Sequence, residues 1–267
     1  HKNPSISDGM LLTTALFLAT ALFGGGLFVL TGKRGMANLD LILAFGGAFI
    51  IAMCFLHLVP EAFAGTSSAG LCVLAGFLLQ SLLEFLSQGI EHGHFHAHKH
   101  GPECDTPYSW QRLPWAALLS LGLHAALESM PVVGPHVHNE GHVHGPLSLE
   151  LINWGLTAGL ILHKVPVAMV LMAMMLEQHV PKRTAWLVLA AFGVSPALGM
   201  LSADMVYHSL DANAAAEVTS MLQALVVGIL LHIGTTVLFE AGEGHTFNKA
   251  KFAATCAGLG LGLLAFV

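Results

Sequence analysis

Charged side chains are scarce in this sequence of 267 residues. Aspartate, glutamate, lysine and arginine together make up 10% of it, whereas 55% of its residues are hydrophobic. A soluble domain carries roughly 25% charged residues, which cover the surface that faces water. So few charges exclude a soluble globular protein. They predict an integral membrane protein that crosses a plasma membrane or a bacterial inner membrane many times, with the lipid bilayer as its main surroundings.

Cysteine and the common hydrolase motifs are also missing or rare. The four cysteines form no CxxC pair, so no disulfide framework is indicated. The HExxH pattern of zinc proteases and the GxSxG pattern of serine hydrolases are both absent. These absences argue against an intramembrane protease, and we expect a protein that is not an enzyme and that has no nucleic acid among its partners.

Long apolar runs dominate what is present. A helix needs about 20 apolar residues to cross the hydrocarbon core of a bilayer. Eight runs meet this requirement, and the sequence therefore predicts an all-α protein with eight transmembrane helices. The predicted spans are roughly 9–31, 39–62, 68–90, 114–133, 149–176, 184–207, 218–240 and 250–267.

The basic residues predict the orientation of these spans. Eight of the ten lysines and arginines fall in the loops that follow spans one, three, five and seven. Cytoplasmic loops carry an excess of lysine and arginine, so these loops are predicted to be cytoplasmic and both termini to lie outside. The eight residues are Lys33, Arg34, Lys99, Arg112, Lys182, Arg183, Lys249 and Lys251.

Two neighbouring spans carry ionisable groups near their middle. The fourth span contains His124 and Glu128, and the fifth contains His163 and Lys164. An ionisable group at mid-bilayer costs about 2.5–3.5 kcal/mol or more, so its presence there indicates a functional site.

These residue types suit a divalent metal ion. His124 and Glu128 are four residues apart and share one helix face, and His163 can add a third ligand from the adjacent span. Imidazole nitrogen and carboxylate oxygen are ligands for zinc and similar ions. Pro131 and Pro166 lie nearby, and a proline break is tolerated in a membrane only beside protein or a water-lined cavity. The alternative is a hydrogen-bonded set that joins two helices.

Two loops are rich in histidine. The cytoplasmic loop 91–113 and the outer loop 134–148 are predicted to capture metal loosely, whereas the alternative is a solvated loop without a ligand. Such exposed histidines lack the ordered surroundings of a transport site. The residues concerned are His92, His94, His96, His98, His100, His136, His138, His142 and His144.

Further ionisable groups lie within or at the ends of spans. Glu240 and Glu243, in "FEAGEGH", and His57, near the outer end of span two, are assigned to a secondary metal pathway. The alternative for Glu240 and His57 is an interfacial position, where a polar tip reaches the headgroups. Glu84 and His232 also lie inside spans, but the sequence indicates no partner for either.

Together these features resemble the ZIP (Zrt/Irt-like) family of divalent metal transporters over essentially the whole chain. The resemblance rests on eight spans with both termini outside and on the histidine-rich loop after span three. It also rests on "LHAALES" in span four, "LHKVPVA" in span five, "GVSPALGM" in span six and "VLFEAG" in span seven.

The resemblance implies one transmembrane domain over residues 1–267. Spans one to three and six to eight would form inverted repeats around spans four and five, a 3+2+3 bundle with a metal site at its midplane. The implied activity is transport of Zn²⁺ into the cytoplasm, with Cd²⁺, Fe²⁺ and Mn²⁺ as further candidates. A metal-efflux carrier and a non-transporting metal sensor remain alternatives, and a homodimer is one candidate assembly.

By the same resemblance, the primary metal site takes His124, Glu128 and His163. Many family members hold a second metal beside the first. Its ligand positions are occupied here by Ala125, Lys164 and Ser195, so all three second-site ligands are replaced. We therefore expect a single transport-site metal, with the Lys164 ammonium supplying the positive charge that the second metal would give to Glu128 and Glu240.

Overall fold

The structure is a computed structural model that describes residues 6–32, 39–87, 115–134, 152–240 and 249–267; residues 6–8, 87, 239 and 240 are described by their backbone alone. The histidine tracts 92–100 and 136–144 lie outside the described residues. Glu243 and the side chain of Glu240 do so as well. The predictions for these residues stay predictions.

The described residues are almost entirely helical, which confirms the predicted all-α class. Apart from a single bridge between Val133 and Ile152, these residues contain no extended pairing. The α-helices are α1 (Ile6–Thr31), α2 (Leu39–Met53), α3 (Val59–Gly65), α4 (Ala69–Ser87), α5 (Trp115–Ser129), α6 (Trp154–Glu177), α7 (Lys182–Tyr207), α8 (Ala212–Glu240) and α9 (Lys249–Phe266).

Two helices continue into tighter or wider turns. A π-helical turn, Cys54–Leu58, joins α2 directly to α3, so that residues 39–65 form one continuous rod. A 3₁₀ turn, Met130–Val132, follows α5. Pro131 lies in this turn, and because proline lacks an N–H group it ends the regular helix there.

Seven helical segments within the described residues are long and apolar enough to cross a membrane, which confirms an integral, multi-pass membrane protein. They correspond to all of the predicted spans except the fourth. The described part of the fourth span is α5, Trp115–Ser129, and the residues directly before it lie outside the described part of the chain.

Helix α6 lies at the centre of the bundle. It packs against α1, α2 and α7, and 78% of its most apolar stretch is buried inside the protein. Pro166 lies inside this helix, which nevertheless continues to Glu177. A helix that is apolar on all sides is typical of the middle of a membrane bundle. The central place of α6 agrees with the predicted role of span five, whereas the inverted-repeat relation stays a prediction.

Helices α4 and α8 cross with their backbones in contact. A Cβ added at Gly76 of α4 would clash with the carbonyl of Leu225 in α8, and one at Gly228 of α8 would clash with the carbonyl of Val73 in α4. Small residues permit such close approach in membrane bundles. This close crossing fixes the orientation of α4, so that Gln80 faces α5 and Glu84 faces α8.

Candidate metal centre

The structure brings together the three residues that the sequence selected as metal ligands. His124 and Glu128 come from α5 and His163 from α6, and their side chains are 2%, 0% and 5% exposed. Each residue offers a ligand atom, and these atoms all lie within 4.8 Å of one another. Donors of one tetrahedral zinc ion lie about 3.4 Å apart, given bond lengths of about 2.1 Å, so small side-chain movements would close the set around an ion.

Helical spacing and helix packing both build this cluster. His124 and Glu128 are one turn apart on α5, which places Nε2 of the histidine 3.1 Å from Oε2 of the carboxylate. The ring of His163 meets the ring of His124 edge-on, with centroids 6.1 Å apart. The two imidazoles therefore approach the carboxylate from different helices, and ligand atoms of all three residues lie within 4.8 Å of one another.

Gln80 of α4 orients the first histidine. Its Oε1 lies 3.0 Å from Nδ1 of His124, and both side chains are buried. An amide oxygen only accepts, so Nδ1 carries the proton and Nε2 presents its lone pair toward the carboxylate. A hydrogen bond of this kind is what fixes the tautomer of a metal-binding histidine.

Sequence reasoning missed Gln80. The available signal was a lone amide in the apolar run "FLLQSLLEF" of span three. A glutamine in lipid needs a hydrogen-bond partner, but the sequence alone does not say which helix supplies it.

Lys164 pairs directly with the carboxylate of the cluster. Its Nζ contacts Oε1 of Glu128, and both side chains are fully buried at 1% and 0% exposure. The ammonium also lies 5.4 Å from the ring centre of Phe17 and 5.3 Å from that of Phe192, within range of cation–π attraction. The buried charge of Glu128 is thus balanced by Lys164, while its other oxygen faces the histidines.

The two other positions of the expected second metal site have different surroundings. Ala125 is fully buried in the apolar core and has no ligand atom. The Ser195 hydroxyl donates to the carbonyl of Phe192 at 2.7 Å. That carbonyl lacks its normal helical donor because Pro196 has no N–H group, so Ser195 compensates for the proline.

Glu84 and His232, for which the sequence indicated no partner, are partners of each other. Oε2 of Glu84 lies 2.5 Å from Nε2 of His232, and Nδ1 of the same ring lies 3.2 Å from the hydroxyl of Ser81. The crossing of α4 and α8 at their glycines brings the two helices close enough for this pair. The sequence shows both residues, but it does not show the helix crossing that brings them together.

His57 lies in the π-helical turn and contacts other helices. Its Nδ1 is 3.3 Å from Oε1 of Glu61, its Nε2 is 3.2 Å from Oδ1 of Asn153, and its ring stacks on Phe266 at 5.3 Å. The side chain is 26% exposed. These contacts hold the ring against the bundle.

The fold and the cluster define a class of protein: a multi-pass membrane protein with a buried group of metal-ligating side chains between its helices. Residues 150–267 match the model of the ZIP zinc transporter family, and this match supports the assignment of the chain to that family. No curated protein matches the chain. The ZIP family consists of transporters rather than enzymes, and it implies divalent metal ions as the transported substrate.

The matched region covers α6 to α9. It contains His163 and Lys164, whereas His124 and Glu128 precede it. The contribution of α5 to the cluster is therefore known from the structure and from the sequence motif of span four.

Proposed function

We propose that this protein transports divalent metal ions, Zn²⁺ foremost, into the cytoplasm through the site formed by His124, Glu128 and His163. The observation that carries the proposal is the convergence of three buried ligands from two helices at one point inside a membrane bundle. The match of residues 150–267 to a transporter family supports movement of the ion rather than retention.

The ligand set suits an ion that must bind and then leave. A dehydrated Zn²⁺ in lipid is prohibitively costly, so protein ligands have to replace its water shell. Two neutral imidazoles and one carboxylate provide three donors and leave the fourth tetrahedral position open to water. Conduction requires binding that is favourable enough to admit the ion and weak enough to release it.

We further propose that the site holds one metal ion, not two. Lys164 occupies one oxygen of Glu128, so a second ion on that oxygen would have to displace a buried ammonium. The remaining second-site positions are an alanine methyl and a hydroxyl that already donates to the backbone. The lysine thus takes the electrostatic role that the second ion has elsewhere in the family.

The direction of transport is the one that the resemblance to ZIP transporters implies, and the predicted orientation identifies which end of the bundle is cytoplasmic. The basic residues of the odd-numbered loops place one end of the bundle in the cytoplasm. Among the described residues, Lys182, Arg183, Lys249 and Lys251 belong to this end.

The test is Zn²⁺ uptake into oriented proteoliposomes with a fluorescent reporter inside, for the wild type, His124→Ala and Lys164→Ala. His208→Ala is the matched control, because this histidine is 69% exposed at the end of α7, where it pairs with Asp204. We expect flux from the wild type and the control and none from His124→Ala. The Lys164 variant then shows whether its charge is essential.

Each other outcome favours a named alternative. Zinc binding without flux in the wild type would make the protein a sensor. Flux that runs only from the cytoplasmic side outward would make it an efflux carrier.

A further inference from the structure

We propose that His57 and Glu61 form a second station for the transported ion, at the outer end of the bundle. This inference rests on the proposed function, since it places a metal on the route to the central site. The pair lies where the π-helical turn Cys54–Leu58 meets α3, at the end of the protein that the basic residues predict to be outside. π-helical turns occur frequently at functional sites.

The hydrogen bonds at His57 leave two acceptors facing each other. Oδ1 of Asn153 accepts from the backbone N–H of Leu156 at 2.9 Å, and it lies 3.2 Å from Nε2 of His57. An amide oxygen only accepts, so this ring nitrogen carries the proton. Nδ1 then directs its lone pair toward Oε1 of Glu61, 3.3 Å away.

Two lone pairs at this distance need a positive charge between them. A bound cation supplies it, and so does a second proton on the imidazole. The carboxylate is held in place for either, because its other oxygen, Oε2, accepts from Nε2 of Gln223 at 2.6 Å. An oriented imidazole and an oriented carboxylate are half of a zinc coordination sphere.

The outer pair repeats the construction of the central site. His124 and Glu128 are also four residues apart, with nitrogen and oxygen 3.1 Å apart. There too, a side-chain amide oxygen, that of Gln80, faces the second ring nitrogen and sets the tautomer. The same three parts meet at both depths, with the roles of the two ring nitrogens exchanged, and they favour the same ligand, a divalent cation.

The outer pair and the central site lie along the same face of α6. His57 lies against Gly155, where a Cβ would clash with its ring, and Met53 lies against Gly159 one turn further in. His163 follows at the next turn, so about 12 Å of helix separates the level of Gly155 from the central site. Met53 is fully buried, and it separates the outer pair from the central site.

The outer pair is more exposed than the central pair, as expected if an ion meets the outer pair first. His57 and Glu61 are 26% and 25% exposed, against 2% and 0% for His124 and Glu128. The outer pair is therefore partly exposed at the predicted outer end of the bundle, whereas the central pair is enclosed. With two protein donors, the remaining coordination positions belong to water, which makes this a weaker site.

The first experiment measures bound Zn²⁺ by equilibrium dialysis of the full-length protein at fixed free zinc. His57→Ala and Glu61→Gln are compared with the wild type and with His208→Ala. We expect each pair variant to bind one equivalent fewer, while the control matches the wild type. The histidines of the two histidine-rich loops are present in all four samples. Glu61→Gln retains an oxygen that can accept from Gln223, so it tests the charge without removing the side chain.

The second readout separates this inference from the proposed function. In the uptake assay, His57→Ala should raise KM by about tenfold and leave kcat nearly unchanged, whereas His124→Ala should abolish flux. Unchanged zinc stoichiometry and unchanged KM in both pair variants would refute the proposed outer metal site. His57 would then be a protonated partner of Glu61 with the structural role of fixing α3. If the wild type itself shows no zinc uptake, the proposed transport function is wrong, whatever the pair variants show.

Discussion

Lys164 and Glu128 form an ion pair that is completely enclosed by α1, α5, α6 and α7. The carboxylate uses one oxygen for the lysine and turns the other toward His124. Breaking a buried pair by removing one partner leaves an uncompensated charge, which commonly costs 3–5 kcal/mol. The pair is therefore expected to stabilise the site, and in the proposal above its ammonium takes the place of a second positive ion.

Replacement of Lys164 by Met should destabilise the protein by about 3–5 kcal/mol, because Glu128 would keep its charge without a partner. Thermal unfolding in detergent checks this. Added Zn²⁺ should raise the Tm of the variant more than that of the wild type, since the ion then restores the missing charge.

Lys251→Met is the matched control for that substitution. Lys251 pairs with Asp40 at 2.9 Å, but the two side chains are 21% and 62% exposed. Exposed pairs contribute about 0–1 kcal/mol, so this variant should unfold close to the wild type. Equal losses in both variants would contradict the special role of the buried pair.

Anomalous scattering from zinc-loaded protein should give one strong peak among His124, Glu128 and His163. A single peak is expected from the proposal that the Lys164 ammonium takes the place of a second cation. Two adjacent peaks at full occupancy beside His124 and Lys164 would refute the single-metal site.

Gln80→Leu should weaken zinc binding at the central site by about 10- to 100-fold, because His124 loses the hydrogen bond that sets its tautomer. Gln80→Glu keeps an acceptor oxygen and should restore most of the affinity. The measurement is zinc affinity together with the KM of uptake. If the leucine variant binds and transports as the wild type does, the amide has only a packing role.

Uptake should weaken as the pH falls below about 6. Protons compete with metal for imidazole, whose reference pKa is about 6.5, and a protonated histidine cannot ligate. The sign follows directly: low pH fills the lone pair that the ion needs. Uptake measured at pH 7.5 and pH 5 tests this, and undiminished flux at pH 5 would count against a site built on histidine.

Gly228→Ala should destabilise the protein by about 1–3 kcal/mol, since the added methyl group meets the backbone of Val73 and Phe77 rather than a movable side chain. Gly70→Ala is the control, because nothing lies within 4 Å of a Cβ at that position. Unfolding of both variants in detergent compares them. A neutral result at Gly228 would show that α4 and α8 can separate without loss.

The predicted spans correspond to helices because a helix that crosses the hydrocarbon core needs about 20 apolar residues, and a run of that length can be read directly from the sequence. The end of the fourth span differs from the prediction: the span was predicted to reach residue 133, but the regular helix α5 ends at Ser129 and a 3₁₀ turn that contains Pro131 follows. Composition counts apolar residues, whereas a helix ends where the backbone can no longer form its hydrogen bonds.

The sequence by itself determined the class of protein, the helices and the three residues chosen as metal ligands. Each of these depends on local composition or on a spacing of four residues along one helix. Only the tertiary structure decided that Gln80 orients His124, that Lys164 reaches Glu128, and that Glu84 meets His232. These contacts join residues 36 to 148 positions apart, so they depend on helix crossings, which are set by the close approach of glycines and by side-chain packing that no local pattern records.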